Sequence, residues 1–202
     1  MPNDFNLRTI TTPILINLLK DEFLFPQLFI LRCRLTISQF KNRIDKRFPA
    51  ELVELTALPL WVYLNLKNKI GQRKAFEIMR VALLTAGVAK QNLLFDTVAN
   101  ERTFENFAQQ ELEINKTGTT KWNTMEVVER TDHRFQVRVT RCLYHELAVS
   151  VGAPEITPIV CQIDNAVFNS YLPEKMIFHR GGVNQRIADG NSECKFIWEL
   201  IK

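Results

Sequence analysis

Arg134-Phe135-Gln136-Val137-Arg138-Val139-Thr140 alternates polar and apolar residues without a break. A period of two puts Phe135, Val137 and Val139 on one face of a strand and Arg134, Gln136, Arg138 and Thr140 on the other. Upstream, Met125-Glu126-Val127-Val128-Glu129 reads as its partner, joined through a turn at Thr131-Asp132-His133. Downstream the period changes twice. Leu143 to about Val151 reads as a helix stopped by Gly152, and a second helix opens at Pro154-Glu155 and runs to Tyr171, just before Pro173. Strand patterns return at Met176-Ile177-Phe178, near Gln185-Arg186-Ile187, and from Cys194 to Ile201. Asp189-Gly190-Asn191 is a hairpin signal between the last two.

The first hundred residues are helical in pattern. Thr12-Pro13 looks like a capped helix start, and a second helix covers roughly Leu28 to Phe48 and ends at Pro49. The apolar stretch from Ala50 to Leu64 reads as a helix interrupted at Pro59. Gly71 to Ala86 carries Phe76, Met79, Ala82 and Leu83 on one stripe, with Gly87 as its stop, and Thr103 caps a short helix to Leu112. Helices first, then an antiparallel sheet with two inserted helices, is an α+β arrangement. At 202 residues the expectation is one domain over 1–202, with a helical part at 1–114 and the sheet plus two helices at 115–202.

Composition excludes several classes. The chain is 46% hydrophobic and 24% charged, with a net charge of +4. Its one dense basic stretch, Lys41, Arg43, Lys46 and Arg47, is interrupted by Asp45 and fits a solvated helix face, so no nucleic-acid partner is expected. No run reaches the ~18 apolar residues of a membrane span. The start Met1-Pro2-Asn3-Asp4 has no signal-peptide pattern, and the cytoplasm is the default location. Cys33, Cys142, Cys161 and Cys194 are far apart, with no C-x-x-C pair and only 3 histidines, so free thiols are expected and no metal. No phosphate-binding glycine loop, H-E-x-x-H or G-x-S-x-G is present, and no cofactor is expected.

Two clusters could carry chemistry. On the helix ending at Tyr171, Ile156, Ile159, Val160, Ile163 and Val167 form the apolar stripe, and Thr157, Cys161, Asp164 and Phe168 line one flank of it. Cys161 and Asp164 are three apart and share a face. They could act as nucleophile and base, or one could orient what the other attacks. The same pattern also describes a structural thiol beside a boundary carboxylate. At the strand-to-helix junction, Arg141 is a carboxylate-binding candidate because a guanidinium offers a two-pronged fit. Tyr144 lies beside the apolar stripe of the following helix with its hydroxyl at an edge, and His145 points away from that stripe.

Val139-Thr140-Arg141-Cys142-Leu143-Tyr144, Gly152-Ala153-Pro154-Glu155, Cys161-Gln162-Ile163-Asp164, and Gly190 through Cys194-Lys195-Phe196 stand in the order seen in the L-2-amino-thiazoline-4-carboxylic acid hydrolase family. The chain resembles that family over roughly residues 100–200. The resemblance implies an enzyme that opens the ring of 2-amino-thiazoline-4-carboxylate to a carbamoyl cysteine on the way to cysteine. Catalytic Cys161 and Asp164 would do the chemistry, with Arg141, Tyr144 and Arg186 around a small-molecule substrate. The family is distantly similar to 4-vinyl reductase, haem-nitric-oxide-binding and TRAPP-like folds, which implies a ligand cavity between helices and sheet. The sequence departs from the family near its end, where Glu193 and Lys195 flank Cys194 and Val183-Asn184-Gln185-Arg186 replaces a Thr-rich strand. An enzyme of the same fold with different ring or cyclisation chemistry in a specialised biosynthetic pathway, and a non-catalytic small-molecule-binding module, are the alternatives. A homo-oligomer is left open.

Overall fold

The computed structural model describes residues 7–98 and 101–201. The chain forms two compact units, one built from the chain through Gly87 with Glu146–Val160, the other from Val88–His145 with Cys161 onward.

The first unit is helical. It holds α1 (Leu7–Leu18), α2 (Pro26–Lys41), α3 (Ala50–Ile70) and the start of α4 (Gln72–Val98). Pro26 opens α2 where no N–H is needed, and Pro49 is the N-cap of α3. The basic residues Arg43, Lys46 and Arg47 are exposed as expected, but in turns after α2 rather than on its face. Three expected helix boundaries, one start and two breaks, are corrected. Thr12-Pro13 lies inside α1, where Arg34 donates to the Thr12 hydroxyl at 2.8 Å instead of leaving it as a cap. Pro59 lies inside an unbroken α3, because Ala57, Leu60, Val62, Tyr63 and Leu66 are buried on both sides of it. That burial outweighs a proline penalty of roughly 3 kcal/mol. Gly87 lies inside α4, since Met79, Ala82, Ala86 and Phe95 are buried along one helix. A mid-helix glycine costs only about 1 kcal/mol. On the outer side of α2 and the turn before it, Leu24, Phe25, Leu28, Leu31 and Leu35 are exposed.

α6 (Leu143–Ser150) ends within this unit in paired bonds, Gly152 N–H to the Val149 carbonyl and Ala153 N–H to the Ala148 carbonyl. That closure needs the left-handed Gly152, at φ 79°. Pro154 and Glu155 form a turn before α7 (Ile156–Tyr171) instead of its first turn, and Glu155 pairs with Lys67 at 2.7 Å.

The second unit contains the sheet, ordered β1 (Thr124–Arg130), β2 (Arg134–Arg141), β4 (Cys194–Leu200), β3 (Met176–His179), with every neighbour antiparallel. Together with the helices this is the α+β class. Phe135, Val137 and Val139 are buried as their alternation requires. Register then decides which residues of β4 join them. Trp198 stands opposite Phe135, Phe196 opposite Val137 and Cys194 opposite Val139. Trp198 is fully buried and packs within 5.2–5.4 Å of the rings of Phe107, Phe135, Phe168 and Phe178. Phe107 belongs to α5 (Phe104–Thr117), capped by the Thr103 hydroxyl, which accepts from Asn106 N–H at 3.1 Å.

The strand expected near Gln185-Arg186-Ile187 is not formed. Ile187–Asp189 is a short 3₁₀ turn instead. The N–H groups of Asp189, Gly190 and Asn191 bond back to the carbonyls of Arg186 and Ile187, so the segment satisfies itself and offers no ladder to β4. Gly190 adopts φ 95°, as the turn signal at this position requires.

Candidate active site

In the second unit, α7 and the sheet bring four titratable side chains of α7, β4 and the segment after β3 together. Val167 and Phe168 bury the inner face of α7, which places Cys161 and Asp164, three residues apart, on its flank at partial exposure. Register carries Cys194 to the core face, where its sulfur accepts the Ile187 N–H at 3.1 Å. The fourth is Arg180. It follows β3 and continues the inward alternation of Met176 and Phe178, so a guanidinium enters the interior at 7% exposure.

Arg180 is held on three sides. Its Nη2 donates to Asp164 Oδ2 at 3.1 Å, and its Cζ lies 4.1 Å from the centre of the Phe196 ring and 5.2 Å from that of Phe178. Its Nε and Nη1 are buried and have no hydrogen-bond partner among the described residues. Asp164, with a side chain 20% exposed, also accepts a hydrogen bond from Gln91. Burial raises the Asp164 carboxyl above the usual aspartate range, and Arg180 and Gln91 pull it back only in part.

A second carboxyl stands near it. Glu111 continues the buried face of Phe104, Phe107 and Ala108 on α5. Burial, and then the charge of Asp164, push its carboxyl up to about 8. The charge of Asp164 thus disfavours ionisation of Glu111.

All four cysteines are free. Burial and the Asp164 charge push the Cys161 thiol up to about 12, against the opposing charge of Arg180. Cys142 sits at the start of α6, where backbone N–H groups of Tyr144 and His145 point at its sulfur, yet burial still raises it to about 11. It is partly exposed, while Cys194 is buried. These are protonated thiols at neutral pH. Among the described residues no group of three or more His, Cys, Asp or Glu side chains is placed to hold a metal ion.

An open cleft of about 440 Å³ lies beside this cluster, lined by Gln162, Asn165 and Asn169 of α7 and by Arg180, Asn184 and Arg186. It is a surface cleft and not an enclosed cavity. Arg180 belongs to both places, lining the cleft while it grips Asp164.

Arg186 binds Asp189 through Nε at 2.6 Å and Nη2 at 2.8 Å, and its charge also acts on Asp164. Arg141 is exposed at the end of β2, opposite Thr124. The Tyr144 hydroxyl donates to the Thr119 carbonyl, with its ring 6.1 Å from Trp122. Sequence reasoning missed Arg180, Glu111 and Gln91. Arg180 and Glu111 did leave a signal, since each is a charged residue standing where an apolar period calls for a core residue.

Comparison with known proteins gives a family and a distant likeness. Two solved structures of the Fe(II) unliganded H-NOX protein from K. algicida, one of a point mutant, align with the chain at a TM-score of 0.42, with 15% identity for the mutant and 14% for the other. In each case 96% of both chains is covered. No curated protein matches the chain. Among the described residues no helix is long and apolar enough to cross a membrane. Residues 51–198, well over half of the sequence, match the L-2-amino-thiazoline-4-carboxylic acid hydrolase family, and the chain belongs to it.

Proposed function

We propose that the protein is a hydrolase that opens a cyclic amidine, 2-amino-thiazoline-4-carboxylate or a related small ring, with Asp164 as the base that activates water. The observation that carries this reading is the Asp164–Arg180 pair at 3.1 Å, beside Cys161 and open to solvent on the Asp164 side. A carboxylate raised by burial is a stronger base than an exposed one, and the adjacent guanidinium favours its ionised form.

The reaction balances with water alone. A water oxygen bonds to the amidine carbon while Asp164 takes its proton. The tetrahedral centre then breaks its bond to the ring sulfur as its hydroxyl becomes the carbonyl; the hydroxyl proton goes to the ring nitrogen and the proton held by Asp164 to the sulfur, giving N-carbamoyl cysteine. Breaking the bond to the ring nitrogen, with both of these protons going there, gives S-carbamoyl cysteine. Cys161 lines the site. Attack by its thiol would form an isothiouronium adduct that water must still cleave at the same base, so Asp164 is needed on either route. A thiol held up to about 12 also has little thiolate to offer.

The test is incubation of the purified full chain with 2-amino-thiazoline-4-carboxylate, followed by mass spectrometry. Formation of a carbamoyl cysteine, lost in Asp164→Asn, supports the reading. An inert wild-type protein, on this ring and on related cyclic amidines, contradicts it.

A further inference from the structure

We propose that Arg180 is the receptor for the substrate's carboxylate, so that the polar cleft of the second unit selects small rings bearing that group. This deepens the hydrolase reading and rests on it for the identity of the ring. The anion site itself rests on geometry.

Arg180 has one of its three nitrogens committed to Asp164, while Nε and Nη1 are buried and unpartnered. Buried donors almost always find an acceptor, and a guanidinium's donors fit carboxylate oxygens. The side chain is not free to swing out to water, because Phe196 and Phe178 hold the guanidinium at 4.1 and 5.2 Å. The guanidinium is therefore a fixed, desolvated donor set, and Arg180 is also one of the residues lining a cleft of about 440 Å³, roomy enough for one five-membered ring with its substituents. Gln162, Asn165 and Asn184 line the same cleft and offer amides to the ring's polar edge.

The other two arginines considered for this role are placed differently. Arg186 spends Nε and Nη2 on Asp189, and Arg141 is exposed at the end of β2. A carboxylate received by Arg180 shares that guanidinium with Asp164, which sets the ring beside the proposed base. Arg180 is thus a substrate-binding residue and the fixed point between binding and chemistry.

The test separates this site from the reaction. Calorimetry on the full chain compares thiazolidine-4-carboxylate, a saturated ring with no amidine to hydrolyse, with its methyl ester. Wild type should bind the acid about 100-fold more tightly than the ester. Arg180→Met should bring that ratio close to one, and Arg180→Lys should retain part of it. Asn165→Asp guards against misfolding of the arginine variants. It adds a negative charge at an exposed cleft residue, and should weaken the acid roughly tenfold more than it weakens the ester. Equal binding of acid and ester by wild type, no binding of the acid, or a ratio that survives in folded Arg180→Met and Asn165→Asp proteins overturns the proposal. A selective acid site without ring-opening activity would retain this site and remove the hydrolase. Ring opening indifferent to the carboxylate would do the reverse.

Discussion

Asp164→Asn should lower stability as well as activity, because it strands a buried cation. Arg180 is 7% exposed, and Asp164 is its only ion-pair partner among the described residues. Removing one member of a buried pair typically costs roughly 3–5 kcal/mol. The 20% exposure of Asp164 places this pair near the lower end, at about 3 kcal/mol. For a chain of this size each kcal/mol moves Tm by roughly 2–4 °C, so the fall should be about 6–12 °C. Arg180→Met should be similarly damaging at neutral pH, since it leaves an unpaired carboxylate. Its deficit should shrink on acidification, as protonation of Asp164 removes the stranded charge. The double variant replaces the pair by neutral groups and should recover most of the loss, giving a coupling of about 2–3 kcal/mol in urea denaturation. Additive single effects, or an unchanged melting temperature for Asp164→Asn, would refute the argument that these two side chains balance each other.

Three further expectations follow from the same cluster and its supports. Cys161→Ser should reduce kcat/KM by no more than about tenfold if the thiol only lines the site, and native Cys161 should be alkylated at pH 8 about 10³-fold more slowly than in urea. Glu111 has a carboxyl raised from 4.5 to about 8, so the folded state binds more protons than the unfolded one between those values, and stability should fall as pH rises through that window. Glu111→Gln should remove this slope and be more stable than wild type at pH 9 by about 2–4 kcal/mol, measured by urea titration at several pH values. Thr103→Ala removes the hydroxyl that caps α5 and should lower stability by about 1 kcal/mol in the same assay.

The parts of the fold written in local periodicity were legible. β2 alternates because one face is buried, and α7 shows its apolar stripe because one flank meets the core. The Thr103 cap and the left-handed Gly152 and Gly190 are local chemistry, and each sits where its residue type requires. Pro59 and Gly87 misled because their costs of about 3 and 1 kcal/mol are local, whereas the burial that carries α3 and α4 through them is tertiary. Arg186 to Asn191 misled for the opposite reason. Its hairpin signal is real, but the turn closes its own backbone bonds and leaves no strand. Within the candidate site, the shared face of Cys161 and Asp164 follows from helical spacing alone. The partnership of Asp164 with Arg180 could not be read that way, because it depends on β3 pairing with β4 in a register that turns residue 180 inward beside Phe196. A charged residue at the inward phase of a strand pattern was the available clue.

Whether Asp164 supplies the base for ring opening is tested most directly by kcat/KM of Asp164→Asn against wild type on 2-amino-thiazoline-4-carboxylate, measured below the variant's lowered melting temperature. Loss of a general base is typically worth roughly 10²–10⁴-fold in rate. The expected result is a loss in that range, with Cys161→Ser retaining about a tenth or more of the wild-type rate under the same conditions. Wild-type rates in folded Asp164→Asn protein would contradict it.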